Sequence, residues 1–194
     1  MKRDFRFYEE SHTYMLDGAR LPSVSEIISP LVDFSGVPLD VLQFAAERGK
    51  AVHKACELDD LEQLNYYELD PRLTPYVDAW QKFKRDFEPT FLFNEEPMFN
   101  ELFGYAGTPD RVAQIGKKIW VPDIKSTALI SRAAGVQLSG YARLVEGFAQ
   151  VKVDGLMVVQ LRDDGTYRTE EFKRDDATFL SCLNIHNWKR KNLK

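Results

Sequence analysis

The spacing of apolar positions divides the chain into helices and strands. Apolar residues at helical spacing predict long helices over about residues 38–60, 73–87, 132–148 and 176–191. Between the second and third of these, short runs of aromatic and β-branched residues from 91 to 125 predict several strands. This order of elements predicts a mixed α/β fold built around one sheet.

The N-terminal segment carries turn and cap signals. Strands over Phe5–Tyr8 and His12–Leu16 are expected to form a hairpin that ends at the turn signal Asp17-Gly18. Ser23 and Glu26 have the spacing of a capping box, which predicts that a helix starts there.

Similar signals mark the second half of the chain. Ser131 is the expected N-cap of the third long helix. Two further strands, over 153–161 and 166–172, flank the turn signal Asp164-Gly165 and predict a second hairpin.

No repeat, low-complexity tract or Gly/Ser linker interrupts the sequence. We therefore expect one domain over 1–194, with an N-terminal hairpin and short helix over 1–37 and a core over 38–194.

Composition excludes several classes of protein. With 44% hydrophobic and 29% charged residues, the chain has an ordinary globular composition. A net charge of −4 argues against indiscriminate coating of nucleic acid, although an acidic average can hide a basic groove. No apolar run approaches the roughly 18 residues that span a bilayer, and no apolar stretch follows the positive charges of MKRDFRFYEE, so secretion is not expected. A cytoplasmic location is the expectation, and two cysteines are too few for a disulfide framework.

The dipeptide Pro-Asp occurs twice, ending at Asp110 and at Asp123. If Gly116-Lys117 is a two-residue type II′ hairpin turn, Ile115 faces Lys118 and, by continuation, Asp110 faces Asp123. Opposed carboxylates repel each other across a strand pair. A hard divalent cation such as Mg²⁺ or Mn²⁺ would convert that repulsion into binding.

Lys125 lies two positions after Asp123, so the two side chains share one face of the strand while Ile124 faces the other way, toward a core. Two interpretations stay open on the hairpin alone. The acids could bind a metal, or Lys125 could neutralise them in a purely structural ion-pair cluster.

Two helices present pairs of polar side chains at a spacing of four residues. His53 and Glu57 share one face of the first long helix, and imidazole and carboxylate are both metal ligands. Gln137 and Tyr141 share a face of the third, where an amide and a phenol could reach a phosphate or a base.

In this order, these residues resemble the PD-(D/E)XK nuclease superfamily, in its RecB-like and lambda-exonuclease-like branch. The matching motifs are Gly49 to His53, Pro109-Asp110, Asp123-Ile124-Lys125 and Gln137 to Tyr141. They span close to half of the chain, and each is short and nonspecific alone. The resemblance implies a restriction-endonuclease-like core, in which a central mixed β-sheet is flanked by helices.

The resemblance also implies roles for individual residues. The implied metal ligands are His53, Asp110, Asp123 and the backbone carbonyl of Ile124, with Glu57 as a further ligand through water. The implied catalytic residues are Asp110, Asp123 and Lys125, of which the lysine positions or polarises the attacking water and the scissile phosphate. Gln137 and Tyr141 would contact DNA. From position and chemistry we add four expected phosphate contacts: Arg48, Arg111, Ser126 and Thr127.

The implied activity is that of a stand-alone, phage-type DNA exonuclease that uses one or two Mg²⁺ or Mn²⁺ ions in DNA recombination, repair or processing. If the protein is phage-encoded, it would act in the cytoplasm of a bacterial host. A structure-specific or nicking endonuclease, and an inactive nucleic-acid-binding protein, are the alternatives. A single-strand-annealing or single-strand-binding partner and a homo-oligomer are compatible with these readings. Cys56 and Cys182 are too few for the iron-sulfur cluster of some RecB-like nucleases.

Overall fold

A computed structural model of the protein describes residues 3–193; the outermost positions of the expected domain, 1, 2 and 194, lie outside the described residues. Within that range the helices are α1 Val24–Ile28, α2 Leu39–Asp60, α3 Thr74–Phe87, α4 Ala133–Ala149 and α5 Asp176–Asn192. The strands are β1 Phe5–Tyr8, β2 Thr13–Leu16, β3 Ala19–Leu21, β4 Thr90–Asn94, β5 Met98–Asn100, β6 Tyr105–Gly107, β7 Arg111–Ile115, β8 Lys118–Lys125, β9 Gly155–Leu161 and β10 Tyr167–Phe172.

Five strands form a central sheet in the order β10-β9-β8-β7-β4. The pairing of β8 with β9 is parallel and the other pairings are antiparallel, so the sheet is mixed. Helix α4 connects β8 to β9, as a parallel crossover requires. The predicted α/β fold around a central mixed sheet flanked by helices is therefore confirmed.

The two faces of the sheet are covered by different helices. Alternate residues of β9 point to opposite faces, so Val158 packs with α1, α4 and α5, whereas Val159 packs with α2 and α3. On β8 the same alternation places Val121 in the first core and Ile124 in the second. The second half of β8 thus lies between two apolar layers, which is why a charged side chain there needs a specific partner.

The β7–β8 hairpin has the expected turn. Gly116 has a φ of +60°, and Lys117 is not among the described residues with positive φ, as a type II′ turn requires. Ile115 pairs with Lys118, which confirms the predicted register. The ladder continues only as far as Ala113–Trp120, and beyond that pair the two strands separate, so the predicted cross-strand pair of Asp110 and Asp123 does not form.

The N-terminal region differs in detail from the expectation. The first two strands pair as expected, but Asp17-Gly18 joins β2 to a third strand, β3, that the sequence pattern did not indicate. The capping box of Ser23 and Glu26 is confirmed. At α4 the N-cap is Arg132 rather than Ser131, although the Ser131 hydroxyl still accepts a hydrogen bond from an amide of the first turn. No helix within the described range is long and apolar enough to cross a membrane.

We predict that Gly155→Ala lowers the free energy of unfolding by about 1–3 kcal/mol. Gly155 starts β9 opposite Trp120, and an added methyl group would overlap the indole ring. Chemical denaturation of the purified variant measures the change. Gly36→Ala is the matched control, because a methyl group there meets no atom within 4 Å. Equal stability of the two variants would contradict the packing described here.

Candidate metal centre

Three side chains from separate elements meet beside the point where β7 and β8 separate. His53 comes from α2, Glu95 follows β4 directly and Asp110 precedes β7. One potential ligand atom from each lies within 4.8 Å of the other two. The Nδ1 atom of His53 lies 3.5 Å from Oδ1 of Asp110 and 3.6 Å from Oε1 of Glu95. The three groups therefore face one common point.

Strand pairing brings the two carboxylates together. Asn94 pairs with Arg111, so the residues just beyond that pair, Glu95 and Asp110, become neighbours. The amide of Glu95 donates to the carbonyl of Asp110 at 3.1 Å, and Glu95 has a φ of +48°, which is uncommon outside glycine. Glu95 is therefore held in an unusual local conformation next to Asp110.

The carboxylates of Asp110 and Asp123 have different partners on β8. The Oδ2 atom of Asp110 accepts a hydrogen bond from the Ile124 amide at 2.7 Å, which joins the segment before β7 to β8. Asp123 is 1% exposed, and its Oδ2 atom lies 2.8 Å from Nζ of Lys125. Its other oxygen, Oδ1, is buried and meets no hydrogen-bond donor among residues 3–193. A buried carboxylate oxygen of this kind is costly unless a cation occupies the space beside it.

The pKa values of His53 and Asp110 reflect their strong mutual attraction. Burial alone would lower the pKa of His53, but the carboxylates of Asp110 and Glu95 outweigh it and raise that pKa to about 10. Burial alone would raise the pKa of Asp110, but the His53 cation, Lys125 and the Ile124 amide lower it to about 2. Without a metal, His53 is therefore the cation that compensates Asp110.

The remaining acids and the lysine respond to burial in different ways. Burial raises the pKa of Glu95 above its usual range, although His53 opposes the shift. Burial likewise raises the pKa of Asp123, against the opposing charge of Lys125. Burial would lower the pKa of Lys125, but the charges of Asp123 and Asp110 raise it overall. Burial therefore disfavours the charged forms of Glu95 and Asp123, whereas the lysine keeps its proton.

The donor set fits a hard divalent cation. It consists of the imidazole of His53 and the carboxylates of Glu95 and Asp110, and the neighbouring Asp123 adds a buried oxygen without a donor. Mg²⁺ and Mn²⁺ prefer oxygen ligands, and imidazole is also accepted by Mn²⁺ and related ions. The residues present are therefore suited to hold such an ion.

Two expected metal ligands have other partners in this structure. The Ile124 carbonyl accepts a hydrogen bond from Nε2 of His53 at 2.9 Å, which leaves Nδ1 facing the carboxylates. Such a bond fixes the orientation of a metal-binding imidazole. Glu57 lies one turn after His53, where its carboxylate is 2.7 Å from Nζ of Lys54. Ligation by Ile124 and by Glu57 stays a prediction.

Arg111 is placed differently from the expected phosphate contact. Its side chain is fully buried, and its guanidinium donates to Asp60 and Glu95 and to the carbonyl of Asp110. A phosphate cannot reach it in this structure, so Arg111 binds the acids of the protein instead of DNA.

Gln137 and Tyr141 lie on α4, the helix that covers the face of the sheet to which Asp123 and Lys125 point. Gln137 donates to the Tyr141 hydroxyl at 3.3 Å. Burial raises the pKa of Tyr141 well above its usual range, and the charges of Asp110 and Asp123 raise it further. The phenol therefore stays neutral beside the acids, and its contact with DNA stays a prediction.

The other expected phosphate contacts line a groove at the end of β8. Arg48 donates to the carbonyl of Ser126 at 3.2 Å, and its buried Nε has no partner among residues 3–193. Gln160 holds the next segment through hydrogen bonds to the carbonyls of Thr127 and Ala128. The groove has a volume of about 320 Å³, and two exposed arginines, Arg162 and Arg168, also line it together with one acid, Asp163. The acidic average of the chain therefore does hide a basic groove.

Glu95 was not among the residues expected from the sequence. Its only local signal is an acidic pair that follows a strand and precedes Pro97. What makes Glu95 a candidate ligand is that β4 lies beside β7, and the sequence does not show which strands are neighbours.

We predict that the His53 imidazole stays protonated to about pH 10 in protein treated with a chelator. Its pKa is raised above the ordinary value of 6.5, so its contribution to stability is complete below pH 6.5 and is lost as the pH rises through about 10. An NMR titration of the histidine side chains measures this. Burial lowers the pKa of His186, which therefore serves as an internal control. Titration of both rings below pH 6.5 would contradict the geometry described here.

Comparison with known proteins gives weak similarities. No family model and no curated protein matches the chain. An alkaline exonuclease, LHK-Exo from Laribacter hongkongensis, aligns with a TM-score of 0.47 and 10% identity over 87% of each chain. LHK-Exo in complex with dAMP gives 0.42 and 13% over 88% of this chain and 92% of that chain. A proposed exonuclease from Eubacterium rectale gives 0.42 and 14% over 76% and 65%. These values are too low to support a function.

Proposed function

We propose that this protein is a metal-dependent DNA nuclease, most directly an exonuclease, that acts in recombination, repair or DNA processing with one or two Mg²⁺ or Mn²⁺ ions. The observation that carries the proposal is the meeting of His53, Glu95 and Asp110 from three elements, beside the buried pair of Asp123 and Lys125. The buried Oδ1 of Asp123, which meets no donor among residues 3–193, favours a metal site over a purely structural ion-pair cluster.

The residues of the chain have separate tasks under this proposal. His53, Glu95, Asp110 and Asp123 would hold the ion, which when bound supplies acidification of water and charge neutralisation at the phosphate. Lys125 keeps its proton because the neighbouring acids raise its pKa. Its ammonium would stabilise the negative charge that develops on the phosphate in the transition state.

Substrate binding would use the groove at the end of β8. Arg48 and the segment from Ser126 to Thr127 offer guanidinium, hydroxyl and amide donors directly after Lys125. Such donors bind the phosphate backbone without reading the sequence. Gln137 and Tyr141 would contact the strand from the α4 side. In a recombination role, a single-strand-annealing or single-strand-binding protein would receive the strand that digestion exposes, and a homo-oligomer could hold the DNA during repeated cleavage.

We predict that Lys125→Ala lowers kcat on linear DNA by about 10²–10³-fold, because one fixed positive charge at the transition state is lost. Asp123→Ala should abolish turnover and weaken metal binding. Gel assays with Mg²⁺ or Mn²⁺, and with a chelator, measure these effects. Lys117→Ala is the matched control, because this exposed lysine lies in the turn of the same hairpin. Full activity of Lys125→Ala would disprove the mechanism.

We expect digestion of linear DNA from its ends and no cleavage of closed circles. The assay compares 5′-labelled, 3′-labelled and circular DNA, each single- and double-stranded, with Mn²⁺. Cleavage of circles would favour a structure-specific or nicking endonuclease on the same site. DNA binding without cleavage of any substrate would favour an inactive nucleic-acid-binding protein.

A further inference from the structure

The buried guanidinium of Arg111 connects two parts of the molecule that the metal centre needs. Its Nε donates to Oδ2 of Asp60 at 2.7 Å. Its Nη1 donates to the carbonyl of Asp110 at 2.6 Å and to Oε1 of Glu95 at 3.2 Å. Arg111 therefore contacts two residues of the candidate metal centre, Glu95 and Asp110. Its own guanidinium is held by Asp60.

Asp60 is firmly fixed in turn. Its side chain is 1% exposed, and Oδ1 accepts from Nε1 of Trp80 at 2.8 Å and lies 2.9 Å from Nζ of Lys84. Asp60 is the last residue of α2, the same helix that carries His53 two turns earlier. Helix α2 therefore fixes the position of His53 directly and the position of Glu95 through Asp60 and Arg111.

Stability alone gives little reason for this arrangement. Removing two charges from water is costly, and apolar residues of similar volume often serve as well as a buried ion pair. Nη2 of Arg111 even has no partner among residues 3–193, which adds to the cost. The guanidinium does, however, supply what an apolar residue cannot, namely a directed donor to Glu95.

Glu95 depends on that donor. Its carboxylate contacts His53 and Arg111, and its side chain is 25% exposed, so water offers a competing environment. Glu95 also lies in a connection between strands, where its positive φ costs free energy. Without Arg111, its carboxylate would be free to turn away from His53.

We propose that Asp60 and Arg111 are a positioning pair for the metal centre, in which Asp60 orients Arg111 and Arg111 holds Glu95 and the Asp110 backbone in place to bind the ion. This inference rests on the proposed function, because it assumes that His53, Glu95 and Asp110 bind a divalent cation. It assigns no direct contact with DNA or metal to either residue.

The test replaces both members of the charged pair, so that neither Asp60 nor Arg111 is left as a buried charge without its partner. Asp60→Asn keeps an amide oxygen for Trp80, Arg111→Met removes the guanidinium, and Lys84 keeps Asp59 at 2.6 Å. Isothermal titration calorimetry with Mn²⁺ measures the Kd of this double variant. We expect binding about 10–100-fold weaker than in the wild type, as for other residues that orient metal ligands. The control is Glu146→Gln with Arg174→Met, which removes an arginine–carboxylate pair between α4 and the start of α5 and should leave the Kd unchanged.

A third substitution separates positioning from general loss of structure. Glu95→Gln should weaken Mn²⁺ binding in the wild type but add little to the Asp60 and Arg111 double variant, because both changes act through the same carboxylate. Additive effects would overturn the inference, as would unchanged affinity of the double variant. Should that variant fail to fold, Arg111→Lys keeps a charge for Asp60 but cannot also reach Glu95, and it must bind Mn²⁺ more weakly for the inference to stand.

Failure of the two proposals can be distinguished. If the wild type binds Mn²⁺ and digests DNA while the double variant binds equally well, only the positioning pair is wrong. If the wild type binds no Mn²⁺ at millimolar concentration, the metal centre is wrong and the positioning pair falls with it.

Discussion

One hydrogen bond, from the amide of Ile124 to the carboxylate of Asp110, organises the site. Strands β7 and β8 pair from their turn to Ala113–Trp120 and then part. Pro122 lies next on the same edge of β8 and has no amide hydrogen to offer, so the backbone ladder cannot continue there. The side chain of Asp110 takes the following amide instead. A carboxylate thereby becomes part of the sheet and is held in a fixed orientation.

The cost of burying acids explains the surroundings of the site. Asp110, Asp123 and Glu95 are compensated by three cations of different kinds, namely His53, Lys125 and Arg111. The imidazole can give up its proton to become a ligand, whereas the guanidinium never can. Only part of this charge is therefore exchangeable for a metal ion, and Arg111 keeps its structural contacts whether or not an ion is bound.

The sequence predicted structural features correctly where residues a few positions apart determine them. The turn at Gly116-Lys117, the register of its hairpin and the capping box of Ser23 follow from residues a few positions apart. Glu95 and Asp60 could not be found in this way, because their roles depend on which strands are neighbours and on where a helix ends in space. Arg111 was misread for a related reason: an arginine beside a candidate ligand suggests phosphate binding, and only its burial shows that it serves the protein's own acids.

The parting of β7 and β8 has a mechanical consequence. One arm of the resulting fork, the end of β8 with Asp123 and Lys125, is fixed by continuous pairing with β9. The other arm carries Asp110 and is joined to β4, and the hydrogen bond from the Ile124 amide to the Asp110 carboxylate spans the gap between the two arms. The separation of the two strands sets the distance from Asp110 and Glu95 to Asp123. The size of the cation site is therefore a property of sheet geometry as well as of side-chain rotamers.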